Sequence, residues 1–434
     1  MDGGSVEALG YIGPLIPRGR NRRMYTTSKP GLGRLPWVLA SIAASIALAL
    51  GAISQCPARH EKDTVVLKVS KSLPGWEPGP GWASAVPPER RPGEAIRIPI
   101  YPPWTEQSGE ALFAPSRIEL IDPFVGKMYK PSQSFPVEFQ EHPDHHIQFV
   151  INSRSMREDD EPRAEKPALR VLVAGDSHTD GVCKNTESFA NLTEAALRIR
   201  AQNESRKSGK TFDPSSIEVL NAGKGSHSFY NYLGVLERYL DLQPDVFVVT
   251  IYGGNDFDEA LTVWHYYNNQ GRRPAGAGKY EDQLQAAVAI NVAAPSQALG
   301  SIKYFAEYPE QKAIAVQAGT EVFGHIQDLC RERGIRLIVL YLPGRPDVEP
   351  QNPDLNLRKL LRALELQPEA LASTNEMGDQ LIASLSKLKI EAIDLRPAFK
   401  EAKRSLYWNS DWHINLTGHH VVADHLIRAL SARK

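Results

Sequence analysis

Leu169-Arg170-Val171-Leu172-Val173-Ala174 runs straight into Gly175-Asp176-Ser177-His178-Thr179-Asp180-Gly181. The apolar run reads as a strand, and the polar stretch after it as the turn at its carboxyl end. The same arrangement recurs twice. Ile217-Glu218-Val219-Leu220 precedes Asn221-Ala222-Gly223-Lys224-Gly225, and Val246-Phe247-Val248-Val249-Thr250-Ile251 precedes Gly253-Gly254-Asn255-Asp256. The pattern predicts five strands, over 169–174, 217–221, 245–251, 335–342 and 390–394. Helices are expected between them over 188–201, 229–242 and 315–333, with a last one over 416–432. Strand–helix alternation of this kind folds as a doubly wound α/β structure, a parallel five-stranded sheet with helices on both faces. Ligands of such sheets sit outside the carboxyl ends of the strands. The three motifs, distant in the chain, are therefore expected to meet in one crevice.

Upstream of this α/β region the chain changes character. Leu35 to Ser54 is twenty residues without a charge, enough at 1.5 Å per residue to cross the roughly 30 Å of a bilayer's hydrocarbon. Arg18, Arg20, Arg22, Arg23, Lys29 and Arg34 precede it, against Asp2 and Glu7. That bias keeps residues 1–34 cytoplasmic and places the bulk of the chain on the far side, in the periplasm or at the cell surface. A cleaved signal peptide is the rival reading, with Ala52-Ile53-Ser54 as a small-x-small site and a secreted product. The long leading segment favours an uncleaved signal-anchor over 35–54. Residues 57–115 hold eleven prolines, which sustain neither helix nor central strand, so 55–115 reads as an extended extracytoplasmic linker. Short β-like runs at 117–121, 137–139 and 147–151 make residues 116–168 a small β-rich lead-in, and Met156 to Lys166, dense in charge, reads as a solvated loop. Residues 258–314 interrupt the alternation, and Gly271 to Gly278 reads as a loop; the insertion is suited to a lid or a substrate wall.

Bulk properties narrow the function. A formal charge of -1 over 434 residues gives no whole-chain reason to expect nucleic acid. Cys56, Cys183 and Cys330 are scattered, which excludes a disulfide-rich scaffold and any zinc or redox spacing.

The motifs carry a specific chemistry. Ser177 lies just past a strand, where a hydroxyl is exposed, and a helix starting after it would aim N–H groups at a developing negative charge. Near the C-terminus, Asp411-Trp412-His413-Ile414-Asn415 supplies a base and a carboxylate to fix its tautomer. Asn255 offers a side-chain amide to an oxyanion, and Gly225 or Ser226 a backbone N–H, since glycine allows close approach. Each motif has a plainer reading: Gly-Asp-Ser is a helix cap, and Gly-Lys-Gly and Asn-Asp are turns. Ser…Asp…His in this order is the skeleton of a serine esterase.

Together the four blocks resemble the SGNH (GDSL-like) hydrolase family over residues 169–434. The resemblance implies a flavodoxin-like three-layer α/β/α sandwich. It implies Ser177 as nucleophile, His413 as base, Asp411 as its orienting carboxylate, and Asn255 with a block-two N–H, of Gly225 or Ser226, as oxyanion hole. It further implies ester hydrolysis, often of carbohydrate O-acyl groups, without metal or organic cofactor. Two departures stand out. The family usually separates Asp and His by two residues; here only Trp412 intervenes, and Ser410 holds the commoner position. The block-two glycine often lies five residues after the asparagine, where this chain has Ser226.

Other clusters are read more plainly. Glu141-His142-Pro143-Asp144-His145-His146 has metal-ligand composition, but its proline breaks any helical face, and an exposed loop is expected. His419, His420 and His425 with Asp424 belong to the last helix, packed locally or facing solvent. His178 and His227 flank the site, as substrate contacts or as structure. Trp264, Tyr266 and Tyr267 suit a sugar-stacking surface or the core. The sequence thus points to a membrane-anchored extracytoplasmic serine esterase acting on a small-molecule or carbohydrate ester, with an acetylated polysaccharide a natural substrate. Transfer of the acyl group to a sugar hydroxyl by the same triad is the first alternative. A non-catalytic envelope or polysaccharide-binding module is the second.

Overall fold

The computed structural model describes residues 118–122, 124–269, 280, 283–284, 293–352 and 355–432. The expected anchor at 35–54, the proline-rich linker and the 271–278 loop lie outside the described residues. Among the described residues no helix is long and apolar enough to cross a membrane.

Two antiparallel hairpins come first. β1 (Glu119–Asp122) pairs with β2 (Gly126–Tyr129), and β3 (Gln133–Glu138) with β4 (His146–Ile151). Five parallel strands follow: β5 (Leu169–Gly175), β6 (Ile217–Asn221), β7 (Val246–Tyr252), β8 (Arg336–Leu342) and β9 (Glu391–Asp394). They lie in the order β6-β5-β7-β8-β9, the 2-1-3-4-5 order of flavodoxin-like sheets. Each expected strand is present to within a residue at its ends. All seven residues of β7 are buried, as a central parallel strand covered on both faces requires.

The side-chain alternation of the strands divides the core in two. Leu172, Phe247, Val249, Ile251 and Val339 face one layer, filled by Phe229, Leu233, Phe323, Ile326 and Leu381. These belong to the helices Phe229–Arg238, Glu310–Arg333 and Ala372–Lys387. Val171, Val173, Val219, Val248 and Leu340 face the other layer, filled by Phe189, Leu197, Val422 and Leu426. These come from the helices Phe189–Lys207 and Leu416–Ser431. Burying each such aliphatic side chain contributes roughly 1.5–3 kcal/mol, so the alternation of β5 and β7 fixes which face each helix covers. Among its described residues, the insertion after β7 includes the helices Asp256–Asn269 and Ala293–Glu307. Phe257, Leu261, Ile302 and Phe305 from them join the first core layer.

Two expectations fail in part: the 141–146 loop, expected to be exposed, buries His142, which meets the Glu187 carboxylate, and the charged segment after β4 is not wholly solvated. Residues 156–166 form an irregular segment, yet its first part is not solvated: Met156, Arg157 and Glu158 are buried. Their charges are answered inside the protein, because Arg157 makes five hydrogen bonds to Asn185, Asp180, Gly181 and Cys183. Its guanidinium also lies 3.5 Å from the Phe149 ring centroid.

Candidate active site

Strands β5 and β7 are neighbours whose connections leave in opposite directions across the sheet, which opens a crevice at their carboxyl ends. Ser177 follows β5 and Asn255 follows β7. Ser177 opens a single helical turn, Ser177–Asp180, capped by the Asp176 carboxylate, which accepts the His178 N–H at 2.9 Å. Gly175 is obligatory just before it: a Cβ there would lie 2.0 Å from the Thr179 hydroxyl oxygen and 3.1 Å from the Thr250 carbonyl. The strand can therefore turn sharply and present the serine.

His413 reaches Ser177 from the other end of the chain, with 2.8 Å between Nε2 and Oγ. Asp411 Oδ2 lies 3.2 Å from His413 Nδ1. At that distance the carboxylate favours the protonated imidazole that forms when His413 takes a proton. The other oxygen, Oδ1, accepts the His413 backbone N–H at 3.0 Å. The close Asp-x-His spacing works because Trp412 adopts φ +58°. That left-handed residue reverses the chain and lets both side chains flanking it face each other. Burial lowers the basicity of His413, but the Asp411 charge, with those of Asp176 and Asp180, outweighs it, and its pKa ends above the ordinary 6.5.

The loop carrying this pair is cross-braced. Trp408 N–H donates to the His413 carbonyl at 2.8 Å, and Asn415 N–H to the Leu406 carbonyl at 2.8 Å. Arg345, just past β8 and fully buried, donates to the Trp408 carbonyl at 3.2 Å and to Asn409 Oδ1 at 2.9 Å. His178 stacks between Tyr252 (3.8 Å) and His413 (4.7 Å). Its Nδ1 accepts the Ile414 N–H at 3.3 Å. Burial and the charges of His413 and His419 hold its pKa well below the ordinary value, so it is a neutral brace with its proton on Nε2.

The oxyanion candidates are distinguishable. Gly225 lies against the nucleophile, since a Cβ on it would sit 3.6 Å from Ser177 Cβ. Its N–H, however, is donated to Asp180 Oδ2 at 3.3 Å. Ser226 follows in a left-handed conformation, φ +68°, and is exposed. The N–H groups of Ser226 and Ser177 have no partner among the described residues. Asn255 Nδ2 gives one hydrogen to Glu259 at 3.0 Å, which leaves its second for a ligand.

Sequence reasoning missed most of the contacts that support this arrangement. Asp180 accepts the Tyr129 hydroxyl at 2.7 Å and Arg157 Nη1 at 3.1 Å, as well as Gly225. Lys224 pairs with Glu119 at 2.7 Å and lies over the Tyr129 ring. His227 donates from Nε2 to the Lys127 carbonyl at 2.7 Å, and burial pushes its pKa down to about 3. The first hairpin thus holds the block-two loop. Asp180 and Lys224 had a signal in the sequence as members of the first two motifs, and His227 as a neighbour of the site; Tyr129, Arg157 and Glu119 had none.

Behind the nucleophile, Asp176 and Asp256 are fully buried, and each keeps one oxygen without a partner among the described residues. Burial pushes both carboxyls up, with the charge of Asp180 adding at Asp176 and that of Asp176 adding at Asp256. His419 is buried too, 3.4 Å from Cys183 Sγ; burial pushes the thiol up to about 12 and the imidazole down to about 3, an inert pair. Trp264 packs partly buried against the core, and nothing is described of the Tyr266 and Tyr267 side chains. No group of three or more His, Cys, Asp or Glu residues suited to a metal occurs among the described residues.

The C-terminal part of the chain is similar to an SGNH hydrolase-like domain. Residues 303–434 match the family model described as "SGNH hydrolase-like domain, acetyltransferase AlgX". The matched stretch includes Asp411 and His413 and stops short of Ser177 and Asn255. No curated protein matches the chain. Among solved structures, a catalytic mutant of Axe2, an acetylxylan esterase from Geobacillus stearothermophilus, overlaps 62% of this chain and 98% of its own at 13% identity and a TM-score of 0.35. An acetyl xylan esterase, AlAXEase, overlaps 60% and 100% at 16% identity and a TM-score of 0.32. A lipase/acylhydrolase from Enterococcus faecalis overlaps 60% and 95% at 12% identity and a TM-score of 0.32. The resemblance carried by the four sequence blocks is borne out at the level of the SGNH hydrolase-like domain.

Proposed function

We propose that the protein is a serine esterase of SGNH type that cleaves a small O-acyl ester through an acyl-enzyme on Ser177. The observation that carries this is the 2.8 Å contact between Ser177 Oγ and His413 Nε2, with Asp411 behind the imidazole. His413 takes the Ser177 proton as Oγ attacks the acyl carbonyl carbon. The N–H groups of Ser177 and Ser226 and the free Asn255 hydrogen receive the negative oxygen. His413 then returns the proton to the departing alkoxide, and the acyl group stays on Ser177. Water, deprotonated by the same imidazole, attacks that ester and releases the acid. The apolar stretch 35–54 behind a basic segment supports a membrane-anchored, extracytoplasmic setting, where acetylated polysaccharide is the natural ester.

A second reading has its own support. The family description names an acetyltransferase, and the same acyl-enzyme discharged by a sugar hydroxyl instead of water is an O-acyltransferase. One experiment addresses both. The protein is incubated with p-nitrophenyl acetate, with and without an oligosaccharide acceptor, alongside Ser177→Ala, Asp411→Ala and His413→Ala. Esterase action requires parent turnover that all three variants lose, with an acetyl group trapped on the Ser177 peptide. An acetylated oligosaccharide formed at the expense of free acetate selects the transferase. A folded parent that releases nitrophenol no faster than Ser177→Ala and acetylates no acceptor overturns both.

A further inference from the structure

The segment Glu141-His142-Pro143-Asp144-His145-His146 has the composition of a metal site, and the structure gives it other work. It lies between β3 and β4, with one side against the segment after the Ser177 turn. There His142 is buried, with Nε2 2.9 Å from the Glu187 carboxylate, and Asp144 pairs with Lys184. Its other side touches the loop that carries His413. Glu141 Oε2 accepts the Asn409 N–H at 2.7 Å, and Oε1 accepts the Ser410 N–H at 2.6 Å. Trp408, the residue before them, packs edge-on against Phe139 at 5.3 Å between centroids.

Both oxygens of one carboxylate are thus spent on two successive backbone N–H groups, those of Asn409 and Ser410, whose side chains are exposed. From the opposite side Arg345 holds the same turn by the Trp408 carbonyl and Asn409 Oδ1. The turn in turn fixes the base: Trp408 N–H donates to the His413 carbonyl at 2.8 Å, and Trp412 N–H to the Trp408 carbonyl at 3.3 Å. A carboxylate accepting two N–H groups is a directional clamp, since both bonds weaken if the turn rotates.

We propose that Glu141 is a positioning residue for the catalytic imidazole, clamping the turn 408–410 so that His413 meets Ser177 at hydrogen-bond distance. The β3–β4 hairpin is then a working part of the site. This rests on the esterase or transferase reading above. Glu141 is partly exposed, so its removal leaves the fold intact and frees the loop.

The test compares acetyl-ester turnover by the parent, Glu141→Ala, Glu141→Gln and Ser177→Ala, with melting temperatures and amide exchange at Asn409 and Ser410. A displacement of the base of about 1 Å lowers turnover by about 10²-fold. The expected result is a fall of about 10- to 100-fold in kcat for Glu141→Ala with KM and melting temperature unchanged. Amide exchange at 409 and 410 should be faster, and Glu141→Gln, which keeps one acceptor, should fall between. An inactive Ser177→Ala beside a Glu141→Ala with parental kcat overturns the clamp alone. So does a kcat loss that vanishes on cooling well below a lowered melting temperature. A Ser177→Ala that turns over ester like the parent overturns the reading of the site, and the clamp with it.

Discussion

The backbone N–H of Gly225 points at the Asp180 carboxylate, 3.3 Å away, and not at an open position beside Ser177. Asp180 is itself held by Tyr129 and Arg157, so the glycine that resembles the family's oxyanion donor is committed to structure. The N–H of Ser226, one residue on, remains without a partner among the described residues. On the proposed mechanism only its backbone is required, so the departure from glycine at this position would cost backbone strain and no chemistry.

That assignment predicts the behaviour of Ser226→Gly. A non-glycine residue at φ +68° is strained by about 1 kcal/mol, which glycine relieves at some cost in chain entropy. The variant keeps the N–H, so kcat/KM stays at the parental level, and stability is unchanged to about 1 kcal/mol higher. A steady-state assay with thermal unfolding checks both. A large loss of kcat would mean that the hydroxyl, and not the backbone, serves the reaction.

The carboxylate cannot be moved to its commoner place. Ser410 is exposed and its N–H is held by Glu141 at 2.6 Å, whereas the left-handed turn at Trp412 aims Asp411 at the imidazole. The pair Ser410→Asp with Asp411→Ala should therefore be no faster than Asp411→Ala alone, about 10⁴-fold below the parent. Recovery of most of the rate by the double variant would show that the loop rearranges freely.

The pH profile follows from the charges around His413. Its pKa lies above 6.5 because Asp411, Asp176 and Asp180 outweigh burial. A general base must be neutral, so kcat/KM falls as pH drops through that raised pKa, and the acid limb lies on the alkaline side of 6.5. Asp411→Asn removes the nearest of these charges and moves the limb to lower pH while lowering the plateau. The stacked His178 is neutral throughout this range and adds no second limb. An acid limb unmoved in Asp411→Asn would assign the titration to another group.

How far the sequence was readable depended on range. The strands were legible because a parallel strand covered on both faces is an uninterrupted apolar run, as Val246 to Ile251 is. The residues at their ends stood out because turns past such strands have a restricted chemistry. Tyr129, Glu141 and Arg345 left no such trace. Each acts on a segment 51 to 268 residues away, through contacts that follow no period in the chain. At Arg157 and Glu158 the density of charge suggested water, and the protein's own hydrogen-bonding groups took its place.

Arg157 makes that last point testable. It is fully buried, lies over Phe149, and faces Asp180, whose side chain is 10% exposed. A charge buried to this degree is tolerable only while paired, and removing one partner of a buried pair costs about 3–5 kcal/mol, because the other charge stays behind unpaired. Arg157→Met keeps most of the volume and removes the pairing, so it should destabilise the protein by about that amount in urea unfolding. Asp180, released from Arg157, would no longer hold Gly225 firmly, so the folded fraction should also lose kcat. The double variant Arg157→Met with Asp180→Asn removes both charges. It should recover much of the stability but not the rate, since the Tyr129–Asp180–Gly225 chain that sets the block-two loop is weakened. If Arg157→Met alone is as stable as the parent, the pair does not carry the load its burial implies.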